Sequence, residues 1–419
     1  MVQQADTEKG LEREFDVVLF GATGFTGKLV AEYLFKTYGA AGTLKWAMAG
    51  RSLQKLEAVA ATLVDTKTPP VPLIVVDSTD EEAITQLAKR TRVICTTVGP
   101  YALYGTPVVA ACAANGTHYC DLTGEVQWMY RVIHAYQTSA ESSGARIVHT
   151  CGFDSIPSDL GVFFVQQQMH ARHGVYADQV RFRLVKADGG MSGGTVASLM
   201  NMMEEVKVDP AVGDVINDPY ALNPRNMPLG PDGPDQVAAM YDTQFKQWTA
   251  PFVMAAINTR VVRRSNALLG FRYGQQFRYD ESILTGDGPF GYLKAAAVAS
   301  GSFLVMLASA VSPLRSMLKS VLPAQGEGPS ADTIARGSFV IDLLAQHPTD
   351  ASKNLRGRIT GDRDPGYGAT AKMLGESAVS LAFDPSEVGG GFWTPSTALG
   401  DNLVKRLQAS AGMTFDIIE

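Results

Sequence analysis

Between Phe15 and Thr150, short apolar runs rich in β-branched residues alternate with stretches in which apolar positions recur at helical spacing. The runs are DVVLF (16–20), LKWAMA (44–49), PLIVVD (72–77), RVICTTV (92–98), THYCDL (117–122) and ARIVHT (145–150). Amphipathic stretches at 28–38, 53–63, 80–90, 107–115 and 126–143 separate them. Strand, helix, strand repeated in this way predicts a parallel sheet wrapped by right-handed crossovers, the doubly wound pattern.

After Cys151 the rhythm changes. Segments 179–186, 258–264, 276–284, 337–346 and 354–361 read as longer strands, several alternating polar with apolar, as an antiparallel sheet with one exposed face requires. Two Pro- and Gly-rich passages, 209–234 and 322–329, read as surface loops. A helical pattern returns at 369–382, followed by the loop GGGFWTPS and a last helix over 397–408. The expected architecture is α/β: a Rossmann-type doubly wound parallel sheet, an inserted α+β domain built mostly on an antiparallel sheet, and C-terminal helices packing back on the first domain. The corresponding boundaries are a disordered N-terminus at 1–14, a nucleotide-binding domain at 15–150, a substrate and dimerisation domain at 151–365, and returning helices at 366–419.

Composition narrows the class. Apolar residues make up 46% of the chain and charged ones only 19%, which suits a well-buried enzyme and not a disordered protein. A net charge of −6 with no long basic run argues against a general nucleic-acid binder, and the densest basic cluster, Arg260 with Arg263 and Arg264, is more simply an edge or ion-pair network than a phosphate site. Cys95, Cys112, Cys120 and Cys151 show no CxxC spacing and no His-rich partner stretch, so reduced thiols, a cytoplasmic location and no metal site are expected. The polar, acidic start MVQQADTEKGLERE lacks the features of a signal peptide. One segment complicates this picture: residues 295–314 carry no charge and are about long enough to cross a bilayer. Hydropathy alone leaves two readings open, a buried or interface helix and a helix embedded in or peripherally docked on the inner face of the membrane.

The candidate chemistry begins at FGATGFTGK. Gly21, Gly24 and Gly27 follow the first strand and open the first helix. Glycine there permits a tight turn, lets main-chain N–H groups approach a pyrophosphate, and allows the helix to sit close to the strand. With Thr23, Phe25 and Thr26 these residues form the expected dinucleotide cradle. At the end of the second strand an NAD site usually has an acid; this chain has Gly50 and then Arg51, Ser52 and Lys55, which suit the 2′-phosphate of NADP(H). Asp77, closing the third strand, meets the adenine edge or caps the next helix. Later strand ends complete the crevice with Thr97, Val98, Gly99 and Pro100, then Asp121 to Glu125, then Gly152 and Phe153. Tyr101, Tyr104 and Asp154 are candidates for proton delivery, against packing and helix-capping alternatives.

These blocks carry a family resemblance. FGATGFTGKLVAEYL, AGRSLQKL, TTVGPYALYGTPVVAACAANGTHYCDLTGE and CGFDSIPSDLGV, with SGGTVASL, GEGPSADTIARGSF, GYGATAKML and FWTPSTALGDNLVKRL further on, resemble the saccharopine dehydrogenase-like oxidoreductases, and most closely their trans-acting enoyl reductase subfamily. The resemblance spans nearly the whole chain. It implies an NADPH-dependent reductase acting on a carbon–carbon double bond of a polyketide or fatty-acyl chain presented by a carrier protein, and a homodimer as the default assembly. It implies that Tyr101, Ser192 and Thr195 can donate to a developing enolate, and that the amides of Gly193 and Gly194 can form a small anion pocket. Two other readings stay open: imine chemistry on an amino-acid substrate, and an NADP(H)-binding protein on a lipid or membrane surface that does not turn over.

Overall fold

The structure is a computed structural model describing residues 13–40, 42–64, 69–189, 193–310 and 327–418. The expected disorder at 1–14 falls, up to residue 12, outside the described residues, as do residues 311–314 of the apolar segment and most of the 322–329 loop.

All six expected strands of the first half form: β1 (Phe15–Phe20), β2 (Trp46–Gly50), β3 (Leu73–Val75), β4 (Thr91–Thr96), β5 (His118–Cys120) and β6 (Arg146–Val148). The later strands are β7 (Gln179–Asp188), β8 (Met240–Asp242), β9 (Gln247–Pro251), β10 (Arg278–Gly286), β11 (Ser338–Gln346), β12 (Leu355–Gly361), β13 (Gly391–Trp393) and β14 (Met413–Ile417). The first sheet runs β13-β6-β5-β4-β1-β2-β3 and is parallel throughout. Helices cover both faces, and its central strands β1 and β2 are buried nearly end to end, which explains their continuous apolar runs. The second sheet runs β14-β12-β11-β7-β10-β9-β8, antiparallel at every junction except β7 with β10.

The 209–234 passage is not all loop, since Pro210–Asn217 is a helix capped by Asp209, and three further features depart from the sequence reading. Residues 258–264, expected as a strand, lie inside the helix Ala255–Leu268. Ile257, Val261 and Val262 are buried on helical spacing, and Arg260, Arg263 and Arg264 are buried as well, so the apparent polar face never meets water. The supposed loop GGGFW contributes β13, whose backbone pairs with β6 and makes a seventh parallel strand from the far end of the chain. Finally, Gly288–Ala310 is a helix, but only 11% of its apolar window is buried, so the buried-helix reading fails. It contacts β9, β10 and the helix Gly193–Val208, while most of its large apolar side chains are exposed.

The helix Thr370–Phe383 does pack back on the first sheet, against β1, β4, β5 and the helix Phe25–Tyr38. Its buried Glu376 accepts at Oε1 from Tyr33 (2.6 Å) and Tyr38 (2.7 Å) and at Oε2 from Arg406 (3.5 Å), so two hydroxyls and a guanidinium satisfy a carboxylate that apolar packing alone would strand. All four cysteines are buried and free.

Candidate active site

The glycine loop sits where β1 gives way to the helix Phe25–Tyr38. Gly21 has φ of +91°, a region costly for any residue with a Cβ, and a Cβ there would lie 2.7 Å from Val98 Cγ2 and 2.8 Å from Thr97 Oγ1. At Gly27 a Cβ would lie 2.1 Å from the Gly21 carbonyl oxygen, so this glycine is what lets the helix seat against the strand. Thr97 completes the turn, its amide donating to Phe20 O (2.9 Å) and its hydroxyl to Gly21 O (3.1 Å). Gly24 is the N-cap residue; it offers no side-chain cap, and the first helical turn holds no acid. The amides of Phe25, Thr26 and Gly27 therefore face outward with the positive end of a 14-residue helix behind them, an arrangement that fits a diphosphate. Phe25 stands at the rim, edge-on to Tyr367 at 5.1 Å, with Gly328 laid against its ring.

At the end of β2, Arg51 and Lys55 are exposed and Ser52 caps the helix Leu53–Ala60, accepting from the Lys55 amide. Thr23 lies beside Gly50, which joins the two strand ends into one rim. Asp77 does not cap the next helix; Asp80 does, accepting from the Ala83 amide. Asp77 instead accepts from the amide and hydroxyl of Thr79, both at 2.9 Å, and those bonds, with a smaller contribution from Arg51's charge, hold its carboxyl below the usual range. A guanidinium, a hydroxyl and an ammonium at one rim form a donor set suited to a ribose 2′-phosphate.

The opposite rim is built from carboxyls, Glu125 and Asp121 buried and Asp154 half-buried. Glu125 lies wholly inside, one oxygen accepting from the Tyr101 amide (2.8 Å) and the Ser198 hydroxyl (2.8 Å), the other from the Ala102 amide (2.9 Å). Burial raises its pKa, and these donors pull it back. It thereby fixes the Gly99–Pro100 turn and ties it to the helix Gly193–Val208, whose Ser198 comes within 3.8 Å of where a Gly99 Cβ would stand. Asp121 accepts four bonds, from Tyr119, His149 Nδ1, Thr123 N and Thr150 N. Neither Glu125 nor Asp121 advertises this role in sequence, because their partners come from four different chain segments.

Asp154 is different. Its carboxyl lies near Gly124 and Gly152, no other described residue donates a hydrogen bond to it, and burial followed by the charge of Asp121 raises its pKa to about 7. Gly152 is wedged between this carboxyl and Thr370, and the Phe153 amide donates to Thr370 Oγ1 at 2.9 Å while its ring packs on Phe339. Phe153 therefore ties the end of β6 to the helix Thr370–Phe383 through a backbone bond already made within the protein, and to the second sheet through its ring. Tyr101 is buried with its hydroxyl held between Thr96 O (3.2 Å) and Leu122 N (3.4 Å) and its ring stacked on Trp128, the geometry of a packing tyrosine. Gly193 and Gly194 open the Gly193–Val208 helix; Ser192 and the side chain of Thr195 lie outside the described residues.

The three arginines of the Ala255–Leu268 helix are all committed. Arg260 pairs with Asp235, Arg263 with Asp232 and the carbonyls of Pro219 and Tyr279, and Arg264 with the carbonyls of Leu222 and Phe392. They clamp the 216–235 connection onto the body.

Fold and crevice together define a Rossmann-type NADP(H)-dependent oxidoreductase. Residues 17–148 match the family described as the saccharopine dehydrogenase NADP binding domain. The chain is 38% identical over 422 residues to the trans-acting enoyl reductase of Mycobacterium leprae, covering 96% of this chain and 98% of that one. It is 37% identical over 410 residues to the trans-acting enoyl reductase of Mycobacterium bovis, covering 94% and 96%. The chain thus belongs to the saccharopine dehydrogenase-like family, alongside these trans-acting enoyl reductases. The structure of apo saccharopine dehydrogenase (L-Glu forming) from Saccharomyces cerevisiae superposes with a TM-score of 0.52 at 14% identity over 97% of this chain and 100% of that one, which establishes a shared fold.

Proposed function

We propose that the protein reduces the carbon–carbon double bond of an enoyl thioester, an acyl or polyketide chain presented by a carrier protein, at the expense of NADPH. The observation that carries this reading over amino-acid imine chemistry is the burial of Arg260, Arg263 and Arg264 against carboxylates and carbonyls. An α-carboxylate would need a free guanidinium at the crevice, and these three are spent on the fold. The names of relatives matching nearly the full chain support the same reading.

Bound NADPH would supply the hydride, held at its diphosphate by the amides of Phe25, Thr26 and Gly27 and at its 2′-phosphate by Arg51, Ser52 and Lys55. With hydride added at the β-carbon, the double bond's electron pair moves toward the α-carbon and the thioester oxygen, and a proton must arrive at the α-carbon. Asp154 is the group placed to hold that proton near neutral pH and to recover it from water afterwards. Amides of Gly193 and Gly194, in the first turn of their helix, are candidates to meet the developing oxyanion. Glu125 positions the nicotinamide-side turn through Tyr101 N and Ala102 N and takes no part in proton transfer.

The test is turnover of trans-2-enoyl thioesters of increasing chain length with NADPH deuterated at the transferable position. Expected is a saturated acyl product carrying deuterium at the β-carbon. Turnover of a saccharopine-like imine with no acyl reduction would install the amino-acid reading, and tight NADPH binding with no acceptor would install the non-catalytic one.

A further inference from the structure

The exposed helix Gly288–Ala310 has no role in the crevice, and its surface has a distinctive character. At about 100° per residue, exposed Phe290, Val298, Phe303, Leu304, Met306 and Leu307 fall on every side of the helix. An amphipathic helix presents one apolar stripe, and a second copy or a protein groove covers one stripe. Pairing two such helices would leave the outward half of each in water. A hydrocarbon medium covers the whole circumference at once. Beyond Lys294 the uncharged residues 295–310 of the helix span about 24 Å, enough to reach deep into a bilayer's apolar core of ~30 Å, and the helix satisfies its own backbone hydrogen bonds.

A second feature lies at the base. Exposed Tyr292 packs edge-on against Trp248 (4.8 Å), which meets exposed Tyr241 (5.4 Å), and the Tyr241 hydroxyl donates to Asp287 at 3.4 Å. Lys294 is exposed beside them. A cluster of Trp and Tyr with polar tips, followed by an uncharged apolar run, is the order of groups found on passing from water through a headgroup layer into lipid.

We propose that this helix inserts into a lipid bilayer, anchoring the enzyme with the Trp248–Tyr241–Tyr292 cluster at the headgroup level. The proposal does not depend on which acceptor is reduced. Because apolar burial drives it, neutral lipid suffices and salt does not release the protein.

The full-length protein is mixed with phosphatidylcholine vesicles and floated on a density gradient, alongside Phe303→Asp/Leu307→Lys and with NADPH binding as the check on folding. Expected is flotation of the wild type at low and high salt, a loss of at least about 100-fold in partitioning for the double variant, and unchanged NADPH affinity. In a second measurement, brominated phosphatidylcholine quenches the tryptophan emission of the wild type, and Trp248→Phe removes that quenching. A wild type that stays off vesicles overturns the proposal, whether it is monomeric or held as a dimer that the double variant splits; so does flotation that survives in the variant.

Discussion

The two rims of the crevice work by different physics. Around Gly21, Gly24 and Gly27 the working groups are main-chain amides, and what matters is the absence of side chains: a single Cβ at Gly27 would sit 2.1 Å from a carbonyl oxygen. Around Asp121, Glu125 and Asp154 the working groups are carboxyls lodged in protein, and what matters is who donates to each. Glu125 and Asp121 are saturated with donors and act as braces. Asp154 receives none from another described residue and keeps its proton to about pH 7. Its place at the crevice, and not the size of the shift, sets Asp154 apart, since buried Glu281 is also raised to about 7 although Tyr279 and Asn258 donate to it.

The contrast breaks most easily at the glycine rim. Gly27→Val should cost about 3 kcal/mol and bring NADPH binding below detection, read by denaturant unfolding and calorimetry, because the three nearest atoms a Cβ meets there are all backbone. Normal NADPH affinity in a stable variant would mean that close helix seating is not required. Next, Asp154→Asn should lower kcat roughly 10²- to 10⁴-fold while leaving the NADPH Kd unchanged in fluorescence titrations; a matching loss of cofactor affinity would move Asp154 to the other rim. Arg51→Asp should weaken NADPH about 10- to 100-fold with NADH nearly unaffected, and an equal loss for both would deny the 2′-phosphate contact. The smallest effect belongs to Tyr101→Phe, which removes a hydroxyl held between Thr96 O and Leu122 N. It should cost about 1 kcal/mol of stability and leave kcat within about twofold; a large kcat loss at full stability would restore Tyr101 as a catalytic residue.

The glycine rim was readable in the sequence because its chemistry is local: a strand, three glycines and a helix within fourteen residues, and β-strands buried on both faces that leave continuous apolar runs. The carboxyl rim was readable only as a set of polar strand ends. Which carboxyl is braced and which is bare depends on Ser198, His149 and Thr150, residues that reach the site through tertiary packing. The same cause misplaced residues 258–264. Their polar positions are arginines whose partners, Asp232 and Asp235, lie in a connection more than twenty residues upstream, so an alternation that looked half-exposed belongs to a buried helix. β13 escaped notice because three residues that complete a sheet by backbone pairing alone carry no periodicity. The apolar helix was legible as apolar, and its exposure was not, since hydropathy does not record neighbours.

The dependence of enoyl-thioester reduction on pH bears most directly on the claim that Asp154 supplies the proton. With its pKa raised from 3.8 to about 7, the native protein binds a proton there that the unfolded chain has already released. Its contribution to stability is whole below about pH 4 and lost as pH rises through about 7, and the catalytically competent form is lost over the same upper limb. In single-turnover NADPH oxidation the wild-type rate should fall tenfold per pH unit above about 7, and the residual rate of Asp154→Asn should be flat there. A wild-type rate independent of pH across that range, or a variant that keeps the same limb, would contradict it.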